Sequence, residues 1–338
     1  MKKILVTGGL GFIGSEAVIC LIQNGYEPII VDDLYNAKLA VLDRIETITG
    51  IRPKFYQIDV KDEAKTEPIF QENKIDAVIH FAGYKAVGES VSKPIEYYEN
   101  NLETLLVIVK LMKKYGVKNI IFSSSATVYG VPTRVPLYES DPVAEATNPY
   151  GETKVMIERI LKDIHFADPS FNMGILRYFN PIGGHPSGLL GEDPNGIPNN
   201  LLPYVSQVAI GKLDYVRVFG DDYPTVDGTG VRDYIHVVDL AEGHVAALKK
   251  LEENPGYVVY NLGTGKGTSV LELIHAFEKA NGVHIPYKVV GRRPGDVAEN
   301  YADCTKAANE LHWKAKYTVE DACRDAYNFQ KKNPEGIK

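Results

Sequence analysis

Residues 3–33 read KILVTGGLGFIGSEAVICLIQNGYEPIIVDD, and this stretch decides the fold. Lys3–Thr7 is a short apolar run, Gly8, Gly11 and Gly14 follow at three-residue steps, and Phe12–Asn24 shows helical spacing through Ile13, Ala17 and Leu21. Strand, glycine turn and helix in that order make a dinucleotide-binding unit. The first glycine permits the tight turn, the second lets the backbone approach a pyrophosphate, and the third allows close helix–strand packing. Free N–H groups at the positive helix end then meet the phosphates. Asp32 closes the next strand 18 residues after Gly14. Its carboxylate can accept both ribose hydroxyls of NAD and repel the 2′-phosphate of NADP, a role Asp33 can share or replace. The glycines alone are a weak signal; between a strand and a helix, with an acid after the next strand, they are a strong one.

Working outward, the same rhythm continues. Pro28–Asp32, Lys54–Ile58, Ala77–Phe81, Asn119–Ser123 and Gly174–Phe179 read as buried strands, separated by segments with helical spacing such as Pro94–Tyr115, which stops at Gly116. Such alternation predicts an α/β fold with a doubly wound parallel sheet. The rhythm breaks at Gly183–Pro203, dense in Gly, Pro and Asn, and Tyr257–Leu262 reads as one more strand returning to the sheet. The expected division is a Rossmann-like NAD-binding domain of residues 1–180 plus 237–263, and a smaller α/β substrate domain of residues 181–236 plus 264–338.

Composition excludes several alternatives. A formal net charge of −7 draws the chain to neither nucleic acid nor anionic lipid, so any bound phosphate must be held by local groups. No run approaches the roughly 18 apolar residues of a membrane span. The run Ile4-Leu5-Val6 is too short for a signal peptide's apolar region. Cys20, Cys304 and Cys323 are widely spaced, which suggests no disulfide framework and fits a reducing cytoplasm. The histidines contain no H-E-x-x-H pair; His80 within a strand and His236 and His244 near a helix start suit packing or surface roles, so no metal is expected.

Tyr150-x-x-x-Lys154 follows the helix-entry pair Asn148-Pro149, which places both side chains one turn apart on one helical face. Lowering a tyrosine from about 10 to about 7, where it serves as a base, costs about 4 kcal/mol. A neighbouring lysine and a cationic nicotinamide ring can supply that stabilisation. Ser123-Ser124-Ser125 ends the fifth strand, where open α/β sheets bind ligands, and Ser125 can relay the same proton. Ser125, Tyr150 and Lys154 are therefore the candidate catalytic residues.

The segments TGGLGFIG, HFAGYKAVGES, SSSATVYG, PYGETK, RYFNPIG, DGTGVRDYIHV and YNLGTG resemble the extended short-chain dehydrogenase/reductases, and within them the UDP-galactose 4-epimerases, in order from Lys3 to about Trp313. The resemblance implies cofactor contacts at Phe12 and Ile13, at Asp32, Asp33, Leu34, Tyr35, Asn36 and Ala37, and at Asp59 and Val60 beside the adenine. It continues them through Phe81, Ala82, Gly83 and Lys85, then Asn100, Ser125, Tyr150, Lys154 and Phe179. Lys85 has its own rationale, because an isolated cation just past a strand end suits a phosphate.

For a nucleotide sugar, Arg232 and Arg293 come from separate segments and can clamp a second diphosphate. The resemblance raises both and adds Lys85, Ser125, Tyr150, Tyr178, Asn180, Asn200, Leu201, Phe219, Tyr234 and Asp296 as substrate contacts. Asn300 occupies a position that resembles a size gate: bulky residues there go with plain hexoses, small ones with N-acetyl groups, and asparagine is intermediate. The activity implied is reversible NAD-dependent inversion at C4 of UDP-galactose and UDP-glucose through a 4-keto-hexose, with UDP-N-acetylhexosamines accepted poorly. Related dehydratases carry Asp-Glu or Ser-Glu where this chain has Ala126 and Thr127, which argues against elimination. A non-catalytic NAD-sensing regulator is expected to lose the base that is present here. The resemblance also implies a homodimer, with helix Pro94–Tyr115 and the helix carrying Tyr150 as its pairing surfaces.

Overall fold

Strand and helix alternate from the first residues in the computed structural model, which describes residues 1–143, 145–293 and 295–338. The order is β1 (Lys3–Thr7), α1 (Phe12–Gln23), β2 (Glu27–Asp32), α2 (Ala40–Thr49), β3 (Lys54–Gln57), α3 (Glu63–Glu72) and β4 (Ile75–His80). Next come α4 (Val87–Ser92), α5 (Pro94–Tyr115), β5 (Asn119–Ser125), a 3-10 turn at Ala126–Tyr129, α6 (Pro149–Ala167) and β6 (Asn172–Tyr178). Then follow β7 (Asn180–Ile182), α7 (Leu201–Ala209), β8 (Val216–Phe219), β9 (Val231–Arg232), β10 (Tyr234–His236), α8 (Val237–Leu251) and β11 (Tyr257–Leu262). The chain closes with β12 (Thr268–Ser269), α9 (Val270–Asn281), β13 (Tyr287–Val290), β14 (Glu299–Asn300), α10 (Thr305–Glu310) and α11 (Val319–Lys332).

Seven strands form one parallel sheet in the order β11-β6-β5-β4-β1-β2-β3. The doubly wound architecture expected from the strand–helix rhythm is therefore present. Alternate residues of each strand face opposite layers, and both are covered. Ile4 and Val6 join Ala17, Leu21, Leu240 and Trp313 on one side, while Leu5 joins Val78, Ile108, Met112, Ile157 and Leu161 on the other. The chain leaves β1 towards β2 and later returns to β4 on the opposite side of β1. That reversal opens a crevice past the carboxyl ends of the strands.

β5 runs on to Ser125, two residues beyond the apolar run, because its ladder with β6 continues as far as Ser125 opposite Tyr178. His244 is also not near a helix start: it lies mid-way along α8, buried, with Nδ1 hydrogen-bonded to the Leu240 carbonyl at 2.9 Å. Apart from an isolated bridge between Gly184 and Gly191, residues 183–200 carry neither helix nor strand.

Beyond β6 lie three small sheets, β7 with β10, β12-β9-β14, and β13 with β8, over a core of Leu202, Val205, Leu273, Phe277, Cys323 and Ala326. Asp233, fully buried, ties this region to the returning strand. Its carboxylate accepts from Thr264 N and Oγ1, each at 2.7 Å, from Gly265 N at 3.0 Å and from Ala302 N at 3.2 Å. A Cβ on Gly263 would lie 2.4 Å from Asp233 Oδ2, so the first glycine of YNLGTG is a packing requirement.

Behind the sheet, Glu158 of α6 holds Arg177 of β6 in a buried two-pronged pair at 3.0 and 2.6 Å, and Ser124 Oγ donates to Glu158 Oε1 at 2.5 Å. The pair locks α6 to the strands on which the site is built. Glu158→Ala leaves the guanidinium buried and unpaired and should cost about 3–5 kcal/mol in urea unfolding; a loss below about 1 kcal/mol would show the lock is unimportant.

Candidate active site

The loop after β1 has the geometry its glycines imply. A Cβ on Gly14 would sit 2.2 Å from the Gly8 carbonyl oxygen, and one on Gly8, at φ +69°, would sit 2.9 Å from Ala82 N. At Gly11 the nearest contact for a Cβ is Gly8 O at 3.4 Å, so its outer side is open. Gly11 is the N-cap of α1, and among the described residues no side chain caps it. Phe12, Ile13 and Gly14 therefore direct N–H groups without intrahelical acceptors into the crevice, a cradle that suits a dinucleotide pyrophosphate.

The other cofactor candidates cluster past neighbouring strand ends. Asp32 is buried, accepting from Leu34 N at 2.9 Å and Leu10 N at 3.1 Å; burial pushes its carboxyl up, and these two N–H groups oppose the shift. Asp33 accepts from Tyr35 N at 2.9 Å, and Leu34 turns the chain in the left-handed region at φ +65°. Asn36 and Ala37 complete this turn, and Asp59 and Val60 follow β3. Phe81, Ala82, Gly83 and Lys85 follow β4, with the Phe81 ring 4.8 Å from His244, and Phe179 follows β6, buried. Asn100 is buried on α5 and donates to its neighbour Asn101 at 3.2 Å.

Two contributors escaped the sequence reading. The Asn101 amide accepts from Tyr84 N at 2.7 Å and donates to Tyr84 O at 3.1 Å and Thr153 Oγ1 at 3.0 Å, joining the β4 loop to α6. Nothing in local pattern separates it from Asn100. The second corrects the view of Lys85 as an isolated cation: its ammonium pairs with Glu192 at 3.2 Å, and Glu192 also accepts from Asn200 Nδ2 at 2.6 Å. Glu192 is distant in sequence from Lys85, so only the fold reveals the pairing.

Ser125, Tyr150 and Lys154 come together where β5 ends against α6. The Asn148 side chain caps the helix, accepting from Gly151 N at 2.9 Å. Lys154 is buried; its Nζ donates to the Ser123 carbonyl at 2.6 Å and lies 5.7 Å from the Tyr150 ring centroid and 4.8 Å from that of Phe122. Ser125 Oγ accepts from Thr127 N at 3.2 Å, and the Ser125 hydroxyl pulls the Tyr150 phenol down. Burial outweighs that pull and holds the phenol above its ordinary value. Burial likewise pushes the Lys154 ammonium down to about 7, opposed by Glu158. Within the chain alone, therefore, burial keeps the Tyr150 phenol protonated at neutral pH.

On the far side, Arg232 and Arg293 converge on one carboxylate: Asp296 Oδ1 lies 3.6 Å from Arg232 Nη2 and 3.0 Å from Arg293 Nη2. The Arg293 guanidinium lies 5.5 Å from the half-exposed Phe219 ring. Asn300 stands opposite Arg232 in the β14–β9 pairing, and its buried Oδ1 has no partner among the described residues. The Tyr178 hydroxyl is likewise buried and unpartnered there. Asn180 N donates to Asp233 O at 3.0 Å, Tyr234 pairs with Asn180 across β10 and β7, and Asn200 and Leu201 open α7.

Residues 4–263 match the NAD dependent epimerase/dehydratase family. The chain belongs to that family. The motif resemblance is thus upheld, and full-length relatives sharpen it. UDP-glucose 4-epimerase of Bacillus subtilis (strain 168) is 56% identical over 335 residues, covering 99% of this chain and 98% of the relative. UDP-glucose 4-epimerase of Haemophilus influenzae is 57% identical over 335 residues, covering 99% of each. The crystal structure of UDP-glucose 4-epimerase from Bifidobacterium longum in complex with NAD+ and UDP superposes with a TM-score of 0.96 at 58% identity, over 99% of this chain and 100% of that one.

The depressed Lys154 value gives a pH test in this family member. An ammonium that falls from 10.5 unfolded to about 7 folded weakens the native state as pH drops through that interval, with the full cost present below about 7. With NAD stripped, Lys154→Met should therefore be more stable than wild type at pH 6 by about 1–3 kcal/mol, with the gap closing towards pH 10. A less stable variant at pH 6 would contradict this account of the site.

Proposed function

We propose that this protein is a UDP-glucose 4-epimerase, interconverting UDP-galactose and UDP-glucose with NAD held in the crevice of the large sheet. The observation that carries the reading is the convergence of Ser125, Tyr150 and Lys154 at the end of β5, on the same sheet edge as the open glycine cradle. Full-length likeness to relatives of that name supports it.

In this reading the N–H groups of Phe12 and Ile13 take the pyrophosphate, and Asp32 and Asp33 take the adenosine ribose. Leu34–Ala37, Asp59 and Val60 flank the adenosine half. Phe81–Gly83, Lys85, Asn100 and Phe179 line the remainder, with Tyr150 and Lys154. Bound NAD supplies the acceptor and donor for the C4 hydride. Tyr150 removes the C4 hydroxyl proton, directly or through Ser125, and later returns it. Lys154 is the chain's own cation beside the phenol, and its bond to the Ser123 carbonyl fixes where that charge sits.

Inversion requires the 4-keto sugar to turn over while its nucleotide stays anchored. Arg232 and Arg293 hold the diphosphate, already gathered by Asp296, while Phe219, Tyr234, Asn180, Asn200 and Leu201 hold the nucleotide and flank the sugar. Tyr178 and Asn300 each present a buried polar atom that no described residue occupies, and sugar hydroxyls are suited to satisfy them. Asn300 is of intermediate size, so UDP-N-acetylhexosamines are poor substrates rather than excluded ones. The enzyme acts in cytoplasmic galactose metabolism as a homodimer paired through α5 and α6, where Leu106 is left exposed.

Purified protein given UDP-galactose without added cofactor should form UDP-glucose and release NAD on denaturation; no product and no NAD would overturn the reading. Tyr150→Phe should lower kcat by about 10²–10⁴-fold while NAD stays bound; turnover like wild type would refute the base. UDP-GlcNAc should be converted slowly, and Asn300→Tyr should abolish that conversion while sparing UDP-galactose; equal rates in wild type and variant would dismiss Asn300 as the gate.

A further inference from the structure

Two segments remote in sequence from the glycine loop close over it. A cleft has Gly11, Phe12, Asn36 and Ala37 on one side and Leu190, Asp193 and Ile337 on the other. The first set comprises cofactor candidates; no role attaches yet to the second. Leu190 and Ile337 are buried, although one belongs to the irregular stretch after β7 and the other to the segment after α11.

Asp193 joins the two sides. Its Oδ2 accepts from Lys38 Nζ at 2.6 Å and from Ile337 N at 2.7 Å, so one carboxylate binds the loop after β2 to the C-terminal segment. Gly336 passes directly over this ion pair: at φ +78°, a Cβ there would lie 2.6 Å from Asp193 Oδ1 and 2.9 Å from Lys38 Nζ. A second tie runs behind the first. Arg44 Nη1 on α2 donates to Leu189 O and to Asn333 Oδ1, both at 2.6 Å, and Asn333 Nδ2 donates to Gly188 O at 3.1 Å.

We propose that residues 188–193 and 333–337 form a clasp that keeps NAD captive, latched by Asp193 and reinforced by Arg44. The proposal rests on the epimerase reading above, in which the cofactor must remain bound between hydride removal and return. The physical reason for a clasp is that an open crevice on a parallel sheet releases its dinucleotide to solvent along the helix N-terminus. A wall of Leu190 and Ile337 shuts that route. Lys38 neutralises the latch carboxylate, which would otherwise repel a bound pyrophosphate across the cleft.

The test is exchange of bound NAD against isotopically labelled NAD in the full-length purified protein, read by mass spectrometry after gel filtration. Asp193→Ala and, separately, Gly336→Val should each exchange about tenfold faster than wild type or more. Activity lost on dilution of these variants should be restored by added NAD. Arg44→Gln should shift exchange the same way without altering any group that lines the cleft, and unchanged thermal melting of one variant suffices to read the result. Wild-type exchange rates in folded variants would overturn the clasp. Wild-type protein that retains no NAD at all would instead overturn the functional reading on which it stands.

Discussion

The Gly8 carbonyl oxygen lies 2.2 Å from where a side chain on Gly14 would begin, and the site is built around that junction. With no room for a Cβ, α1 starts tight against β1 and aims its unpaired N–H groups across the strand ends. Everything else in the crevice is placed by the same sheet: the acids after β2, the loop after β4, the serines of β5 and the aromatic pair ending β6. A shift of α1 would move the phosphate cradle away from the tyrosine and lysine. The glycines therefore fix the distance between the N–H cradle and the Tyr150–Lys154 pair.

A second constraint is electrostatic. The interior around Ser125, Tyr150 and Lys154 disfavours charge: burial pushes Lys154 down to about 7 and His80 down to about 3, and raises Tyr150. His80 answers this by staying neutral and bonding Thr7 Oγ1 at 2.8 Å. Lys154 answers it with the Ser123 carbonyl, and Glu158 one turn further along α6 partly compensates. Arg232 and Arg293 follow the reverse logic, two guanidinium groups gathered by Asp296 rather than left to repel each other.

The cleft is closed from outside the large sheet. Glu192 links the β4 loop to Asn200, and Asp193 links the β2 loop to the C-terminal segment, so adjacent carboxylates of one irregular stretch serve opposite halves of the crevice. An excursion without helix or strand is thereby tied at two points to the loops of the large sheet. Its glycines permit this: a Cβ on Gly191 would lie 2.4 Å from the Phe329 ring.

Local pattern alone determined the parallel sheet, the glycine cradle, the acid after β2 and the Tyr150–Lys154 pair. Each depends on neighbours within a few turns of chain, where periodicity and helix geometry act directly. Tertiary structure decided what long-range pairing controls. It gave Lys85 a partner in Glu192, placed Asn101 as a joint between the β4 loop and α6, and set His244 mid-way along α8 rather than near its start. It also set the charge states, because whether Lys154 holds its proton depends on how much water the packed fold leaves around it.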